Sequence, residues 1–500
     1  MADDVRKKIT FGVLSGWGSQ ILSLLIGVFT LPVFFRYLPK EELGVWMFFL
    51  GTGVFVNLSD FGFSPVLGRQ LAFALGDGDK TATANYSGTS YYFRLSKYIS
   101  TVTAPILFMG MLIIGGFFIW TINIPETLLR HSLIAWVIFS LSQAVSCQFR
   151  YLETTLNSHG EVGWQNTVQP VVQVLSLAGY FTVLHFFDGG IIALSCVVVC
   201  RNLINATFLV LLVNRRIDKR HMAKVRVSWS DIKPHIKPAL DMFLISLGAF
   251  LILNTDQYFI ITFLGTVQLP DYAAAYRLVQ IAYMFSATAS MMCIPFISRK
   301  SAAGDQKGLH SLLFANTTLG MIIHLAAVSI LAVFGDHILQ IWLGPGHFVG
   351  WAVLWVFCIM LTLENHHVIF ARFGLSAKID PTWGKMSLLS GVLNLILTFI
   401  GVQWLGLLGV ALATLVSQML TNNWYAVVKT MRILHLRFSD YVHESGRIWF
   451  VTGLILLALM VCIRYLVPSP LLSVLTGLSI SALICSTVLL FYRNKLVAGL

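Results

Sequence analysis

The sequence predicts an all-α polytopic membrane protein of about fourteen transmembrane helices, and three observations predict it. Of the 500 residues, 57% are hydrophobic and only 11% are charged. Soluble globular proteins carry roughly 25% charged residues, so lipid must solvate much of this surface. Apolar runs long enough to cross a bilayer recur along the whole chain. Lys and Arg gather in alternate connections between those runs, the bias that orients membrane helices.

The predicted spans are residues 11–36, 43–68, 99–121, 131–152, 164–186, 190–213, 239–264, 271–298, 312–334, 349–373, 384–404, 406–430, 448–466 and 470–492. The second, sixth and eighth contain charges. The first run, Ile9 to Phe35, is too long for a cleavable signal peptide and lacks a small-residue cleavage site. With the N-terminus inside, all but six of the 34 Lys and Arg fall in inside segments. Arg36, Lys40, Arg130 and Arg464 fall outside, and Arg201 and Arg277 lie within spans. The longest connection, Asn214 to Pro238, is inside and strongly basic. No extramembrane domain is expected, and both termini are expected in the cytoplasm.

The net charge of +12 resides in these short connections, which argues against a nucleic-acid face on a folded soluble domain. Seven cysteines, none in a CxxC, give neither a disulfide framework nor a zinc signature. GxxxxGK, HExxH and Gly-x-Ser-x-Gly are absent, so no ATP-driven pump chemistry is encoded. Asp77-Gly78-Asp79 matches a metal-nucleotide DxD but sits in a Gly-rich turn, and a plain polar turn is the better reading. No resident cofactor is expected, and the chain is expected not to be an enzyme.

The halves look like copies in the same orientation. Pro65, Arg69 and Gly76-Asp77 recur as Pro295, Arg299 and Gly304-Asp305. Ile119-Trp120 with Trp136-Val137 recurs as Ile341-Trp342 with Trp355-Val356, and Tyr37-Leu38-Pro39 as Phe263-Leu264-Gly265. The expected organisation is therefore an N-lobe over 1–213, a basic linker over 214–238, a C-lobe over 239–430, and two added spans in 431–500. Parallel membrane repeats suit a transporter whose lobes rock about a central site.

A charge at mid-bilayer costs at least about 2.5–3.5 kcal/mol and so faces an interior or a cavity. The candidates are Asp60, Arg201, Asp256, Arg277 and Glu364, with His366 and His367 beside the last and Arg36 near the outer end of the first span. Gly53, Asn57, Asp60, Ser64 and Gly68 form one small, polar stripe. The stripe is either a cavity wall carrying Asp60 as an ionisable carboxylate or a tight helix–helix seam with Asp60 capping the backbone freed by Pro65. Asp256 is either a site residue or a group near the outer interface, and Arg277 could snorkel to headgroups. Arg201 lies mid-span and needs a partner or a ligand. Glu364 and His367 share a face and could carry a proton or form a structural pair.

With these residues laid out, the chain resembles the polysaccharide transporter family, which includes Wzx-type flippases for lipid-linked O-antigen units. Its superfamily also holds the MATE exporters and the lipid II flippase MurJ. The carriers are Tyr37-Leu38-Pro39 with Leu43-Gly44-Val45-Trp46, Asp60-Phe61-Gly62 with Gly68-Arg69, and Pro238. Asp256, Phe263-Leu264-Gly265, Tyr272, Tyr276-Arg277, Ile338-Leu339 and Trp342-Leu343-Gly344 complete them. Asp256-Gln257 departs from the pattern, where a basic residue often follows the aspartate.

The resemblance implies two six-helix lobes around a central cavity, MATE/MurJ-like, in a bacterial inner membrane. It implies a flippase for undecaprenyl-pyrophosphate-linked oligosaccharide, serving O-antigen or another surface polysaccharide alongside polymerase and ligase machinery. In that frame Arg277, Arg201 and Arg36 engage the headgroup, and Asp60, Asp256, Glu364 or His367 couple to a proton or sodium gradient. The alternative is a MATE-like ion-coupled drug antiporter, with a cavity dominated by carboxylates and aromatics. A polymerase would present a large outer loop, only His366-His367 supports an acyltransferase, and the repeated lobes disfavour a scaffold.

Overall fold

Lipid offers no hydrogen bonds, so a crossing segment must satisfy its backbone internally, and a helix does so within one segment. The computed structural model describes residues 2–76, 88–122, 124–291, 293, 297, 300–301, 304–377 and 382–499. Among these the regular structure is helical, with no strand. The protein is a multi-pass all-α membrane protein. Eleven helices are long and apolar enough to cross a bilayer, or up to 12 if one bent pair is a single span. Large apolar side chains stand on the outside, among them Trp404 at 84% and Phe187 at 74% exposed, as a lipid-facing surface requires.

The difference from fourteen spans lies in two places. Leu269–Met291 is helical over 23 residues but stands outside that apolar set. Residues 384–404 and 406–430 fall in one stretch, Thr382–Ile433, that counts once among the apolar helices. That stretch reverses at Gly406, whose φ of 57° and ψ of −134° are non-helical. Asn394 donates to Thr414 Oγ1 at 2.9 Å across the turn, so two antiparallel arms pack together.

The chain divides into two units. Unit 1 is Met1–Phe250 with Leu264–Pro270, and unit 2 is Leu251–Phe263 with Asp271–Leu500. In unit 1 the helices are α1 (Ala2–Tyr37), α2 (Lys40–Thr52), α3 (Phe55–Leu58), α4 (Phe63–Gly76), α5 (Gly88–Gly110), α6 (Gly116–Thr121), α7 (Glu126–Ser158), α8 (Val162–Phe187) and α9 (Gly190–Arg216). Helix α10 (Trp229–Leu253) follows, most of it in this unit. Helix α7 packs on α4, α5 and α9, while α1 packs on α8. Trp46, Phe48, Phe49, Trp136 and Phe139 are almost wholly buried and meet ring to ring.

Trp136 also explains a local defect. Its indole N–H donates to the Met111 carbonyl at 2.8 Å, at the start of a π-helical turn, Met111–Gly115. A Cβ on Gly115 would fall 2.1 Å from the Trp136 ring, so the ring seats against bare backbone. A side chain inserted into the backbone ladder is an established cause of such irregularity. The repeat partner Trp355 likewise donates to a carbonyl of the preceding long helix, Ala332 at 2.9 Å. The repeated tryptophans thus perform the same local task in each unit.

In unit 2, α11 (Asp256–Leu264) and α12 (Leu269–Met291) precede α13 (Gln306–Leu343). Then come α14 (Trp351–Ala377), α15 (Thr382–Leu420, turned at Gly406), α16 (Asn422–Ile433), α17 (Phe438–Tyr441), α18 (Arg447–Leu466) and α19 (Pro470–Gly499). The central α13 packs on α14, α18 and α19. Asp305 caps it by accepting from Gly308 N at 2.8 Å, and that bond is the main reason its carboxyl lies below the usual range. So the second-half Gly304-Asp305 is a helix-starting turn, whereas Asp77-Gly78-Asp79, Pro295 and Arg299 fall outside the described residues. Arg464 of α18 reaches Asp336 of α13 at 2.8 Å and lies over the Trp351 ring, fastening the added helices to this unit.

The hairpin gives a direct test of this packing. A Cβ on Gly409 would fall 1.9 Å from the Gly401 carbonyl oxygen, a backbone atom that cannot swing aside. Gly409→Val is expected to lower stability by about 1–3 kcal/mol through overpacking, read as a lower apparent Tm in detergent. An unchanged Tm would show the arms are not in contact.

Candidate functional site

Membrane helices break where polar side chains can take up the freed backbone groups. Unit 1 breaks in the second predicted span, where Lys40–Leu58 and Phe63–Leu75 meet at 44°. Phe61 and Gly62 both have positive φ there, 49° and 79°. A Cβ on Gly62 would fall 2.2 Å from the Ala239 carbonyl oxygen, so only glycine fits this turn. Asp60 supplies the missing acceptors, taking Gly62 N at 3.0 Å and Ser64 N at 3.2 Å. The capping alternative for Asp60 is therefore what the geometry realises.

Asp60 has a further partner that the sequence placed in a connection. Arg150 lies inside α7, its Nη1 3.4 Å from Asp60 Oδ2 and its Nη2 donating to Asn57 at 2.7 Å. Three residues on is Glu153, and Asn205 of α9 takes a hydrogen bond from Gln169 of α8 at 3.4 Å. Glu153 was not a candidate, because the predicted span stopped one residue before it. The i, i+3 spacing of Arg150 and Glu153 was the available signal.

Arg201 lies in the middle of α9. Its Nε donates to Asn202 Oδ1 at 3.2 Å, and Asn202 is fixed in turn by donating to the Ser142 carbonyl at 2.8 Å. Among the described residues no carboxylate forms an ion pair with Arg201. It borders a cavity of about 930 Å³ between α8 and α9, with Glu42, His131, Asp188, Cys196 and Cys200 also in the lining. Glu42 is engaged there, accepting from Ile191 N at 2.8 Å. Arg36 is not in that lining. It is exposed at the end of α1, with its guanidinium 5.8 Å from the Tyr37 ring centroid.

Unit 2 breaks at Asn254-Thr255, and Asp256 opens the resumed helix α11. Tyr272 O–H donates to Asp256 Oδ2 at 2.7 Å, and the Thr414 hydroxyl lies 3.4 Å from Oδ1. The Asn394 amide donates to Thr414, and its Oδ1 lies 3.5 Å from the Thr255 hydroxyl. Asp256 thus sits in a nest of neutral oxygens, among described residues that give it no ion-pair partner. Such hard-oxygen surroundings suit a proton or an alkali cation.

The other unit 2 candidates make no hydrogen bond to Asp256. Arg277 donates to Gln280 at 2.8 Å, one turn along α12. Glu364 interacts electrostatically with Tyr276, Tyr283 and Arg372. His367 is committed to the Asn422 carbonyl at 2.9 Å, and His366 to the Tyr441 hydroxyl at 2.7 Å. All seven cysteines are free thiols. In the basic linker Arg220 clasps Asp218 and pulls its carboxyl down to about 2.

Residues 9–301 match the family of polysaccharide biosynthesis proteins. The chain belongs to this family. A probable low-salt glycan biosynthesis flippase, Agl15 of Haloferax volcanii, is 28% identical over 200 residues. That alignment covers 38% of this chain and spans only 42% of the relative's length. In fold the chain is similar to the lipid II flippase MurJ in an inward closed conformation, with TM-score 0.67 and 16% identity. That match covers 96% of this chain and 99% of the other. An inward-facing multidrug resistance MATE transporter gives 0.68 at 12% identity, covering 83% and 94%. The Vibrio cholerae MATE transporter VcmN gives 0.60 at 14% identity, covering 87% and 98%. At these identities the solved structures establish the fold alone. These relatives are flippases and transporters rather than enzymes, in keeping with the non-enzymatic reading.

The Asp60–Arg150 pair makes a second prediction. Removing one partner leaves a buried charge uncompensated, at a cost of about 3–5 kcal/mol. Arg150→Met should therefore be strongly destabilised in thermal unfolding, and adding Asp60→Asn should recover part of the loss. If Arg150→Met unfolds like the wild type, the pair contributes nothing.

Proposed function

We propose that this chain flips a lipid-linked oligosaccharide across the bilayer by alternating access. The carrier in this reading is undecaprenyl pyrophosphate, and the glycan belongs to O-antigen or another cell-surface polysaccharide. The protein then sits in a bacterial inner membrane with both termini cytoplasmic, handing its cargo to polymerase and ligase machinery.

The observation that carries the reading is Arg201, a mid-helix cation without a carboxylate partner among the described residues, at a cavity of about 930 Å³. An unpaired guanidinium within a membrane helix calls for an anion. Its planar fork matches phosphate oxygens bidentately, which a diphosphate headgroup supplies. The prenyl chain needs no such provision, since it can remain in lipid while the headgroup crosses. Family membership and the MurJ-like fold support the same substrate class. Arg277 and Arg36 are proposed as further headgroup contacts. Of the carboxylates named from the sequence, Asp256 is best surrounded for coupling to a proton or sodium, while Asp60 is occupied as a cap.

The MATE-like fold and the Asp256 nest also favour a second reading, ion-coupled export of small molecules. The two readings separate in one genetic background. Arg201→Gln and Arg277→Gln are each expected to abolish complementation of a flippase-deficient strain at normal protein levels. Arg201→Lys should retain part of it, because an ammonium keeps the charge but not the fork. Full complementation by both Gln variants, together with wild-type drug resistance conferred by the chain, would overturn the flippase reading.

A further inference from the structure

The basic linker between α9 and α10 is held to unit 1 largely through its backbone. Ser90 of α5 donates to the Arg220 carbonyl at 2.7 Å, and Arg94 of α5 donates to the Met222 and Ala223 carbonyls at 2.8 and 3.0 Å. Tyr91 O–H donates to Asp231 at 3.1 Å, and Ile217 and Ile232 are buried. The cationic side chains are left on the outside. Arg215, Arg216, Lys219, Lys224 and Arg226 are exposed, as are Lys233 and Lys237 in the first turns of α10. These charges are unmet. Residues 214–240 hold two carboxylates, and both are taken: Asp218 by Arg220, and Asp231 by Tyr91 and Ser228. No other cation of the segment forms an ion pair among the described residues. Arg216 instead lies over the Trp164 ring, 4.2 Å from its centroid. Residues 1–10 and 77–87 of the same unit do not alter the balance, because together they carry as many acidic as basic residues.

An apolar ridge runs beside the charges. Trp229, Ile236 and Leu240 stand at i, i+7 and i+11 on one exposed face of α10, with Lys233 between them. Ile232 and Ala239 occupy the buried side. Trp229 is 59% exposed, too much for a packing role. The ridge continues into the apolar length of the same helix, which is long enough to cross the bilayer. Lipid that covers Leu240 therefore reaches Ile236 one turn earlier. Tryptophan, aliphatic and lysine side chains sharing one helix face are the composition of an element at the membrane interface.

We propose that the linker and the first turns of α10 form a docking surface for anionic phospholipid, in the leaflet on the linker's side. The ridge enters the acyl boundary, and Lys233 and Lys237 extend their stems along it to reach the phosphates. The linker cations meet further phosphates through charge-assisted hydrogen bonds. A zwitterionic headgroup brings no net counter-charge, so phosphatidylglycerol is preferred to phosphatidylcholine. The surface uses none of the groups assigned to transport, and it stands whatever the chain carries.

The test uses the full chain in lipid nanodiscs carrying spin-labelled phosphatidylglycerol or phosphatidylcholine. The fraction of label immobilised at the protein gives the preference between them. The wild type is expected to prefer phosphatidylglycerol about threefold or more at low salt. The preference should fall toward one at about 1 M salt, where the Debye length is about 3 Å. Combining Lys224→Gln, Arg226→Gln, Lys233→Gln and Lys237→Gln should remove most of it. Combining Lys307→Gln, Lys385→Gln, Arg437→Gln and Arg447→Gln takes the same charge from exposed positions of unit 2 and should leave most of it. Should the first combination not be recoverable, Lys233→Gln with Lys237→Gln decides, with the preference cut to about half. A wild type without preference, or equal losses in the two combinations, overturns the surface. So does retention of radiolabelled farnesyl pyrophosphate that the first combination abolishes while the phospholipid preference is absent, since the cations then serve a soluble diphosphate.

Discussion

Hydrocarbon cannot hydrogen-bond, and this constraint organises the whole chain. Every helical break inside the membrane must be met by protein groups. At the first break Asp60 replaces the lost partners of Gly62 and Ser64. At the second, the Thr255 hydroxyl takes up the Leu251 carbonyl at 2.7 Å, and Asp256 opens the next helix. Both breaks thereby bring a carboxylate among spans where an apolar residue would otherwise sit. The cost of unwinding a helix and the presence of an ionisable group are then one event, because the group that repairs the backbone is the one that carries charge.

The same solvent changes what holds helices together. Lipid tails are as apolar as leucine, so burying leucine against leucine drives little association. Close approach and specific hydrogen bonds take its place. The arms of the Gly406 hairpin touch backbone to backbone at Gly401 and Gly409. Ser286 donates to the Gly320 carbonyl at 2.6 Å across two helices, where no larger residue would leave that oxygen within reach. Trp136 and Trp355 each pin a neighbouring helix through one indole N–H. These contacts are few and directional, so they fix helix register more sharply than apolar burial alone would.

How much of this the sequence carries follows from distance along the chain. Span positions are local properties of composition, and the runs fell on helices. Even the two spans that merged into one helical stretch are separated by the turn at Gly406. The capping role of Asp60 was legible because its partners are two and four residues away. The surroundings of Asp256 were not, since Tyr272, Asn394 and Thr414 lie 16 to 158 residues off and none stands out as charged. Arg150 and Glu153 were hidden differently. Hydropathy ended the fourth span at residue 152, whereas α7 continues to Ser158, and a helix outruns its apolar segment when polar residues find partners in neighbouring spans.

The repeat is kept in packing and abandoned in charge. Trp136 and Trp355 hold equivalent local positions, yet the charged groups of the two units differ in kind. Unit 1 has an ion pair at its helical break, and at a cavity an arginine that no described carboxylate pairs. Unit 2 has a carboxylate surrounded by neutral hydroxyls and an amide. A paired charge resists neutralisation, because protonating the acid strands its basic partner in a medium of low dielectric. A carboxylate among neutral donors has no such partner to strand, so it can gain and lose a cation at smaller cost. The two units therefore differ in how readily their charged groups can be neutralised, although their tryptophans make the same contact.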